Sequence, residues 1–369
     1  MSVLQIEDVR KEYGDVVAVK NASFAVEDGE FVSVLGPSGS GKSTMLRMIS
    51  GFETPTNGEV LINGENVVGV PPFERDTNMV FQNLALFPHL TVAENIGFGL
   101  KRRGVPKDQR RGRIESILDV VELAGYGDRE IDQLSGGEQQ RIALARAIVN
   151  EPSIILLDEP LASLDRKLRQ HMKFELQRIQ KETGITFLYV THDQDVAMSV
   201  SDRMIVLNEG AIEQEGSVRD IYERPATRFV AQFMGDLNVL SGTVADRRTD
   251  AISLEADGDT YTVPVDEAGA AVDAGDRIDV GVRPTHVRLL DSDAPEAILT
   301  GTVTNHIYAG DETVYTVDVA GTTFQAEAET GPFDAGDRVA LGWNRTNTFL
   351  FDEGVNVANG NARTVRAGD

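Results

Sequence analysis

The sequence of 369 residues contains no cysteine, which excludes disulfide bonds and thiolate metal sites. It also lacks any apolar run of about 18 residues, the length at which a segment becomes a candidate membrane span. Charged residues near the N-terminus, among them Glu7, Asp8 and Arg10, break the charged-then-apolar order of a signal peptide. We therefore expect a chain without a membrane span or secretory leader, and the missing cysteines favour the cytosol.

Positive charge is scarce, with 35 lysines and arginines against 59 acidic residues and a formal net charge of −24. The last lysine is Lys181. This imbalance argues against a nucleic-acid partner, because binding one requires basic surface that neutralises phosphates. Acid excess with few lysines is typical of proteins from salt-loving organisms, whose molar internal salt shortens the Debye length to about 3 Å. A simply acidic protein is the alternative.

Residues 36–44 fit the phosphate-binding motif G-x-x-x-x-G-K-[ST]. The apolar, β-rich residues 31–35 precede the motif, and a helical stretch over residues 42–50 follows it and stops at Gly51. The glycines allow backbone N–H groups to surround an anion, to which the helix N-terminus adds a favourable partial charge. The pattern predicts a nucleoside triphosphate site, rather than a turn with a chance lysine, formed by Gly36, Pro37, Ser38, Gly39, Ser40, Gly41, Lys42, Ser43 and Thr44.

Two loop residues and two later carboxylates suggest the chemistry of this site. Lys42 is expected to reach the β- and γ-phosphates, and Ser43 to offer its hydroxyl to Mg²⁺. Asp158 and Glu159 follow the continuous apolar run of residues 154–157, which is typical of a buried parallel strand. Acids at the C-terminal end of such a strand lie where open α/β sheets bind ligands. In a phosphate-loop NTPase, this position lets one of the two acids hold Mg²⁺ and the next act on the attacking water. The alternative interpretation is a solvated acidic turn without a catalytic role.

Two further side chains are candidates, each with a structural alternative. His192 follows the strand-like residues 186–190, where a contact to the γ-phosphate is favoured over a purely structural histidine. Tyr13 stands just before Gly14 on a turn, where its ring either stacks on adenine or simply packs.

Residues 134–141 form a second glycine-containing motif, which precedes a helix. Ser135 and Glu138 have the S-x-x-E spacing of a capping box, and a well-capped helix is the simplest explanation. A cap does not require Gly136 and Gly137, however, so these small residues indicate close approach of another backbone or a phosphate. Asp165 starts a later helix whose apolar face is interpreted as core and which ends before Gly184.

After residue 235 the composition changes to short β-branched runs separated by glycine and aspartate. This pattern predicts a small all-β domain, a Greek-key or OB-like barrel, over residues 236–369. The Ala-Gly-Asp-Arg sequences at 274–277 and 335–338 suggest a weak internal duplication. The acidic tail from about Asp352 is expected to be partly disordered. Residues 1–235 form the first domain, with mostly helical character over about 84–150.

The motif set of residues 1–235 resembles the ATP-binding cassette family, the ATPase subunits of ABC transporters. The resemblance implies an α/β phosphate-loop NTPase fold with a helical subdomain. The matching motifs are the Walker A loop at Gly36–Thr44, the Q-loop glutamine at Gln82, the LSGGQ signature at Leu134–Glu138, the Walker B pair Asp158 and Glu159, the D-loop at residues 161–165 including Asp165, and the switch histidine at His192.

The resemblance also implies how these residues work. Two copies form a homodimer in which each ATP lies between the Walker A loop of one copy and the signature of the other, here Ser135, Gly136 and Gly137. Mg²⁺ is held by Ser43, Gln82 and Asp158. Water is polarised by Glu159, which His192 orients, and adenine stacks on Tyr13. Glu138 stands where the family has glutamine, which leaves open how that side chain hydrogen-bonds.

The C-terminal region resembles the transport-associated OB domain of importer ATPases, whose G-x-R-P-x-x-[VI] segment is similar to residues 281–287. This implies integral membrane permease partners, an extracytoplasmic solute-binding protein acting indirectly, and a place at the cytoplasmic face of the membrane. The domain is then expected to pair subunits or to receive regulatory signals.

Residues 80–89 resemble the form common in polyamine, ferric iron and anion importers, whereas sugar importers more often carry tyrosine at the position of Phe87. We therefore predict an importer ATPase with polyamine as the favoured cargo. The alternative is a soluble ABC-type ATPase of DNA repair or translation. A DNA-repair ATPase of this kind needs a long coiled coil between the motifs, and the short gap between Gln82 and Ser135 leaves no room for one. A translation ATPase usually carries two cassettes in one chain, and only one is present here.

Overall fold

The computed structural model describes residues 1–162, 164–266, 272–310, 312–328 and 333–357. The chain forms two compact units, Met1–Val218 and Arg219–Asp369. The structural boundary therefore precedes the one predicted after residue 235. Ser163 of the D-loop lies outside the described residues, as does the part of the predicted tail beyond residue 357. The first residues of that tail, from Asp352 to 357, are ordered and include the short strand Val355–Asn356.

In its described residues, the first unit combines ten strands with six α-helices. In chain order they are β1 (Ser2–Tyr13), β2 (Val16–Glu27), β3 (Phe31–Leu35), α1 (Lys42–Ser50), β4 (Asn57–Ile62), β5 (Glu65–Asn66), β6 (Thr77–Val80), α2 (Val92–Arg102), α3 (Lys107–Val120), α4 (Gly136–Ile148), β7 (Ile154–Asp158), α5 (Arg166–Thr183), β8 (Thr186–Thr191), α6 (Gln194–Val200), β9 (Arg203–Asn208) and β10 (Ala211–Ser217).

A six-stranded sheet of order β10-β9-β3-β8-β7-β6 forms the centre of this unit. Strands β9, β3, β8, β7 and β6 run parallel, and β10 closes one edge as the antiparallel arm of a hairpin. The side chains of β3 and β8 are buried throughout, as expected of a strand covered on both faces. A second sheet has the order β2-β1-β4-β5. Helices α2, α3 and α4 follow β6 and precede β7 along the chain. The predicted α/β cassette with a helical subdomain is confirmed.

Two helices begin and end where the sequence predicts. α1 spans Lys42–Ser50, and Gly51 ends it with φ 85°. Asp165 caps the N-terminus of α5, and Gly184 follows its end with φ 68°. Both glycines take the left-handed conformation that favours this residue at the end of a helix. None of the helices in the described ranges is long and apolar enough to cross a membrane.

The second unit starts with two short helices and continues as strands. α7 (Val218–Glu223) begins at the boundary and α8 (Arg228–Phe233) follows. The strands are β11 (Asn238–Arg247), β12 (Ala251–Ala256), β13 (Asp259–Pro264), β14 (Arg277–Val282), β15 (Arg288–Asp291), β16 (Leu299–Tyr308), β17 (Thr313–Val319), β18 (Thr322–Ala328), β19 (Arg338–Gly342), β20 (Phe349–Asp352) and β21 (Val355–Asn356).

The predicted internal duplication is confirmed in detail. β11–β15 and β16–β20 have the same order of strands, and equivalent bonds hold the two Ala-Gly-Asp-Arg turns. Gly275 N–H donates to the Val244 carbonyl at 2.7 Å, and Gly336 N–H donates to the Val303 carbonyl at 2.8 Å. The last strand of each half joins the other half's sheet, because β14 pairs with β20 and β15 with β19. The all-β class is therefore confirmed, as two antiparallel sheets of six and five strands.

Arg283 explains why residues 219–235 belong with the second unit. Its side chain is 2% exposed, and its guanidinium donates to the carbonyls of Tyr222, at 3.0 Å, and Ala231, at 3.2 Å. The same group lies 3.9 Å from the Tyr222 ring, a cation–π contact. Asp279 adds an ion pair with Arg228. Composition placed these helices with the cassette, but their hydrogen bonds tie them to the β strands.

We expect Arg283→Met to destabilise the second unit by about 2–4 kcal/mol, since two buried carbonyls lose their donors. Trp343 is the only tryptophan and is buried in this unit's core, so its fluorescence during urea unfolding of the full chain reports on this unit. Arg345→Met, which removes an exposed arginine from the other half of the duplication, is the matched control. An unchanged transition in Arg283→Met would refute this role for the guanidinium.

Candidate functional site

Four of the predicted motifs lie at one edge of the six-stranded sheet. Four neighbouring parallel strands, in the order β3-β8-β7-β6, end at the same edge. The residues that follow these ends are the loop 36–44 after β3, His192 after β8, Asp158 and Glu159 at and after the end of β7, and Gln82 after β6. The carboxyl edge of a parallel sheet is the usual place for a ligand in this class of fold.

The loop 36–44 adopts a shape that requires glycine. Gly39 and Gly41 have φ of 84° and 99°, in the left-handed region. A Cβ on Gly36 would collide with the carbonyl oxygen of Leu207, and one on Gly41 with that of Ala18. The first turn of α1 has no side-chain cap, which leaves its N–H groups available to an anion. This backbone suits a chain of phosphates.

Lys42 folds back over its own loop. Its ammonium donates to the carbonyls of Gly36, at 2.7 Å, and Pro37, at 2.8 Å, and the residue is 7% exposed. Burial lowers the pKa of Lys42, while the carboxylates of Glu159 and Asp158 oppose that shift. The Ser40 hydroxyl oxygen is buried without a hydrogen-bond partner among the described residues. A cation held on two carbonyls and an unsatisfied hydroxyl fit a loop that receives an anionic ligand.

The acid pair has two different environments. Asp158 is the last residue of β7. Burial and the Glu159 carboxylate raise the pKa of Asp158, whereas the charges of Arg47 and Lys42 lower it. Glu159 follows in the left-handed conformation, with φ 45°, and its carboxylate lies 2.8 Å from Nδ1 of His192. Backbone strain of this kind in a non-glycine residue is concentrated at functional sites. The Glu159 carboxylate is therefore placed where the His192 ring can orient it.

Glu138 hydrogen-bonds as an acceptor within the signature turn. One of its carboxylate oxygens accepts both the backbone N–H and the hydroxyl of Ser135, each at 2.7 Å. The hydrogen bond from the Ser135 side chain lowers the pKa of Glu138, so this carboxylate is ionised at neutral pH. The capping-box prediction is confirmed, and the single hydroxyl proton of Ser135 is engaged by a charged acceptor.

The two signature glycines differ in what surrounds them. A Cβ on Gly137 would lie 2.9 Å from a methyl group of Leu168, so packing against α5 accounts for this glycine. A Cβ on Gly136 would meet nothing closer than 3.8 Å, at Leu164. Packing among the described residues therefore does not explain Gly136, which is exposed.

Tyr13 and Asp165 have contacts outside the loop. Tyr13 is the last residue of β1, is 44% exposed, and has the Lys11 ammonium 4.8 Å from its ring centre. Asp165 accepts a hydrogen bond from Leu168 N–H at 3.0 Å, which gives it a structural role as helix cap. Among the described residues, no hydrogen bond joins either side chain to residues 36–44.

Two arginines near this edge were not predicted from the sequence. Arg47 acts on Asp158 from α1, and its spacing of four residues from Ser43 places both on one helix face, a signal that was available. Arg146 of α4 hydrogen-bonds the segment after Gln82, for which the sequence carries no signal.

The donor set fits Mg²⁺ together with phosphates. The described residues contain no cluster of three or more His, Cys, Asp or Glu that could hold a metal unaided. Ser43, Gln82 and Asp158 instead offer a hydroxyl, an amide and a carboxylate at the sheet edge. Mg²⁺ typically binds one or two protein oxygens plus substrate phosphates, so this sparse oxygen set suits it.

Comparison with known proteins agrees with this geometry. The family description "ABC transporter" matches residues 19–162, and "TOBE domain" matches residues 280–351. The chain is 46% identical over 375 residues to a spermidine/putrescine import ATP-binding protein PotA of Frankia alni, covering 96% of this chain and 80% of that protein. It is 49% identical over 352 residues to the protein of the same name of Acidothermus cellulolyticus, covering 92% and 91%.

Solved structures resemble the first unit. A dimeric post-hydrolysis state of the ATP-binding cassette MJ0796 bound to ADP and phosphate is 36% identical, with a TM-score of 0.51, and covers 58% of this chain and 99% of that one. CbiO1 from Clostridium perfringens, part of an ABC transporter complex, is 29% identical, with a TM-score of 0.56, and covers 60% and 90%. The chain belongs to the family of ATP-binding proteins of ABC transporters, and it is an ATPase that carries a C-terminal TOBE domain.

Proposed function

We propose that two copies of this chain form a homodimer that hydrolyses two ATP molecules in shared sites. The observation that carries this proposal is the position of the signature turn. Ser135 and Gly136 are exposed, and no hydrogen bond of the described residues joins residues 135–137 to the phosphate loop of the same chain. An unexplained exposed glycine beside a serine suits a phosphate brought by another copy.

Within each shared site the residues divide the work. The loop N–H groups and Lys42 bind the phosphates, and Ser43, Gln82 and Asp158 would hold a magnesium ion. Magnesium, when bound, neutralises charge on the phosphate oxygens. Glu159 orients and polarises the attacking water, and His192 keeps that carboxylate in place through the 2.8 Å contact. Catalysis then rests on positioning and charge stabilisation, without a covalent intermediate.

The dimer is symmetric, so each copy gives the same two surfaces to the interface. ATP closes the dimer because it contacts both copies only in the closed state, and hydrolysis removes that preference. Support comes from the similar cassette MJ0796, whose structure was solved as a dimer. Tyr13, exposed beside Lys11, is available to stack on adenine. The second unit serves subunit pairing or regulation.

The dimer drives solute uptake through an integral membrane permease, at the cytoplasmic face of the membrane, with an extracytoplasmic binding protein that delivers the solute. Polyamine is the favoured cargo because the relatives that span most of this chain are named spermidine/putrescine import proteins. Ferric iron, anions and sugars rank below it. The cassette does not contact the cargo, so its geometry adds nothing to this choice.

Reconstitution in vesicles tests the transport assignment. The chain is combined with the permease and binding protein encoded beside it, and ATP hydrolysis is measured with spermidine, ferric iron, sulfate or maltose. Stimulation by spermidine alone supports the proposal, and stimulation by another solute overturns the cargo. Stimulation by ribosomes without any membrane partner would favour the soluble alternative.

Glu159→Gln is expected to lower the rate of ATP hydrolysis about 10²-fold or more, since it removes the group that polarises water. ATP binding persists, so the variant accumulates as an ATP-bound dimer, detected by light scattering after gel filtration. Glu209→Gln is the matched control, because Glu209 also follows a strand in the left-handed conformation, with φ 46°, on the hairpin turn between β9 and β10. Hydrolysis by Glu159→Gln at the parental rate would show that the assignment is wrong.

Glu138→Gln is expected to ease dimer formation. The change removes a negative charge beside the expected γ-phosphate and weakens the hold on the Ser135 hydroxyl proton. In the Glu159→Gln background, the ATP concentration for half-maximal dimer should fall roughly fivefold, equivalent to about 1 kcal/mol for an exposed charge pair. Glu115→Gln on α3 controls for overall charge. An equal or higher ATP requirement in Glu138→Gln contradicts this prediction.

A further inference from the structure

The loop that carries Gln82 contains an unfavourable backbone conformation. Leu84 and Ala85 are consecutive non-glycine residues with φ of 59° and 45°. Left-handed backbone is disfavoured for any residue with a Cβ, and it persists only where the surroundings impose it. Two such residues in succession, close after a proposed metal ligand, therefore require a structural cause.

Arg146 supplies that cause. Its guanidinium donates one N–H to the Ala85 carbonyl at 2.7 Å and another to the Leu84 carbonyl at 2.8 Å. It also lies 5.5 Å from the centre of the Phe87 ring. Only the planar fork of arginine presents two N–H groups in this fixed geometry, so a lysine cannot serve both carbonyls equally well.

The remainder of the loop is anchored at both ends. Leu84 N–H donates to the Phe81 carbonyl at 2.8 Å, next to the end of β6. Asn95 of α2 is fully buried and holds Phe87 through both backbone groups, accepting from its N–H at 2.9 Å and donating to its carbonyl at 3.1 Å. Between these anchors, Arg146 is the side chain that bonds the strained carbonyls.

We propose that Arg146 is a positioning residue that imposes the turn at Leu84 and Ala85 and thereby sets Gln82 at the sheet edge for the magnesium ion. Arg146 belongs to α4, the helix that Ser135 caps, so the signature helix and the Gln82 loop are joined by one side chain. The inference rests on the proposed role of Gln82. It adds a residue that contacts neither nucleotide nor metal.

Enzyme assays on the full chain test this role. In Arg146→Gln, the Mg²⁺ concentration for half-maximal ATP hydrolysis should rise about tenfold or more, because the strained turn loses both charged donors. ATP binding measured without Mg²⁺ should stay within about twofold of the parent, since the phosphate loop is untouched. The Mg²⁺ requirement of Arg146→Lys should lie between those of the parent and Arg146→Gln, because lysine keeps the positive charge but lacks the planar pair of N–H donors.

Arg110→Gln is the matched control. Arg110 of α3 also donates to a backbone carbonyl, that of Val105, at 2.8 Å. Its loss should leave the Mg²⁺ requirement unchanged, although the same type of bond is removed from the same group of helices.

Hydrogen exchange gives a readout that is independent of activity. Without nucleotide, the amides of residues 82–90 should exchange faster in Arg146→Gln and Arg146→Lys than in the parent, and Arg110→Gln should match the parent. Ala85→Gly removes the Cβ that makes the turn costly. The double variant Arg146→Gln with Ala85→Gly should therefore need less Mg²⁺ than Arg146→Gln alone.

Gln82→Ala separates the possible failures. If Gln82→Ala raises the Mg²⁺ requirement and Arg146→Gln does not, the positioning role of Arg146 is overturned while the role of Gln82 stands. If Gln82→Ala has no effect, the proposed metal ligand is wrong and the inference falls with it. If Arg146→Gln fails to fold, the exchange and Mg²⁺ measurements on Arg146→Lys decide, and parental behaviour in both would overturn the proposal.

Discussion

Four parallel strands that end at one edge of a sheet are the constraint on which the site depends. Each of β3, β8, β7 and β6 delivers one polar segment to that edge, so the spacing of strands sets the spacing of the groups that handle phosphate. The glycine loop lies at this edge, and Lys42 bends back to donate to the carbonyls of Gly36 and Pro37. In a chain of net charge −24, this local arrangement must attract an anion against the overall field.

Left-handed backbone occurs at two points of this edge. Glu159, Leu84 and Ala85 have positive φ, a conformation that is unfavourable for residues with a Cβ. Each is held by a specific neighbour: Glu159 N–H donates to the Val190 carbonyl at 3.0 Å, and Arg146 holds the other two. The rigid sheet and helices thus impose conformations that these short segments would not adopt alone.

Local sequence patterns predicted much of this structure, but contacts between residues far apart in the chain could not be predicted from them. The ends of α1 and α5 follow from left-handed glycines, and the start of α5 follows from the Asp165 cap. Four motifs lie together because the parallel strands that precede them share an edge. The boundary between the units depends on the hydrogen bonds of Arg283 to Tyr222 and Ala231, which lie far from it in the chain. The strand exchange between the two halves and the bonds of Arg146 are likewise set by packing. The salt-loving origin inferred from charge stays a prediction.

In the proposed dimer, each ATP lies between the phosphate loop of one copy and the signature turn of another. The chain has no native cysteine, so Ser38→Cys and Ser135→Cys, both at exposed positions, can be placed in separately tagged copies. Mild oxidation of the mixture, with hydrolysis blocked, should cross-link unlike chains when ATP is present and not in its absence. A mixture that fails to cross-link with ATP, or that cross-links equally without nucleotide, would contradict the account.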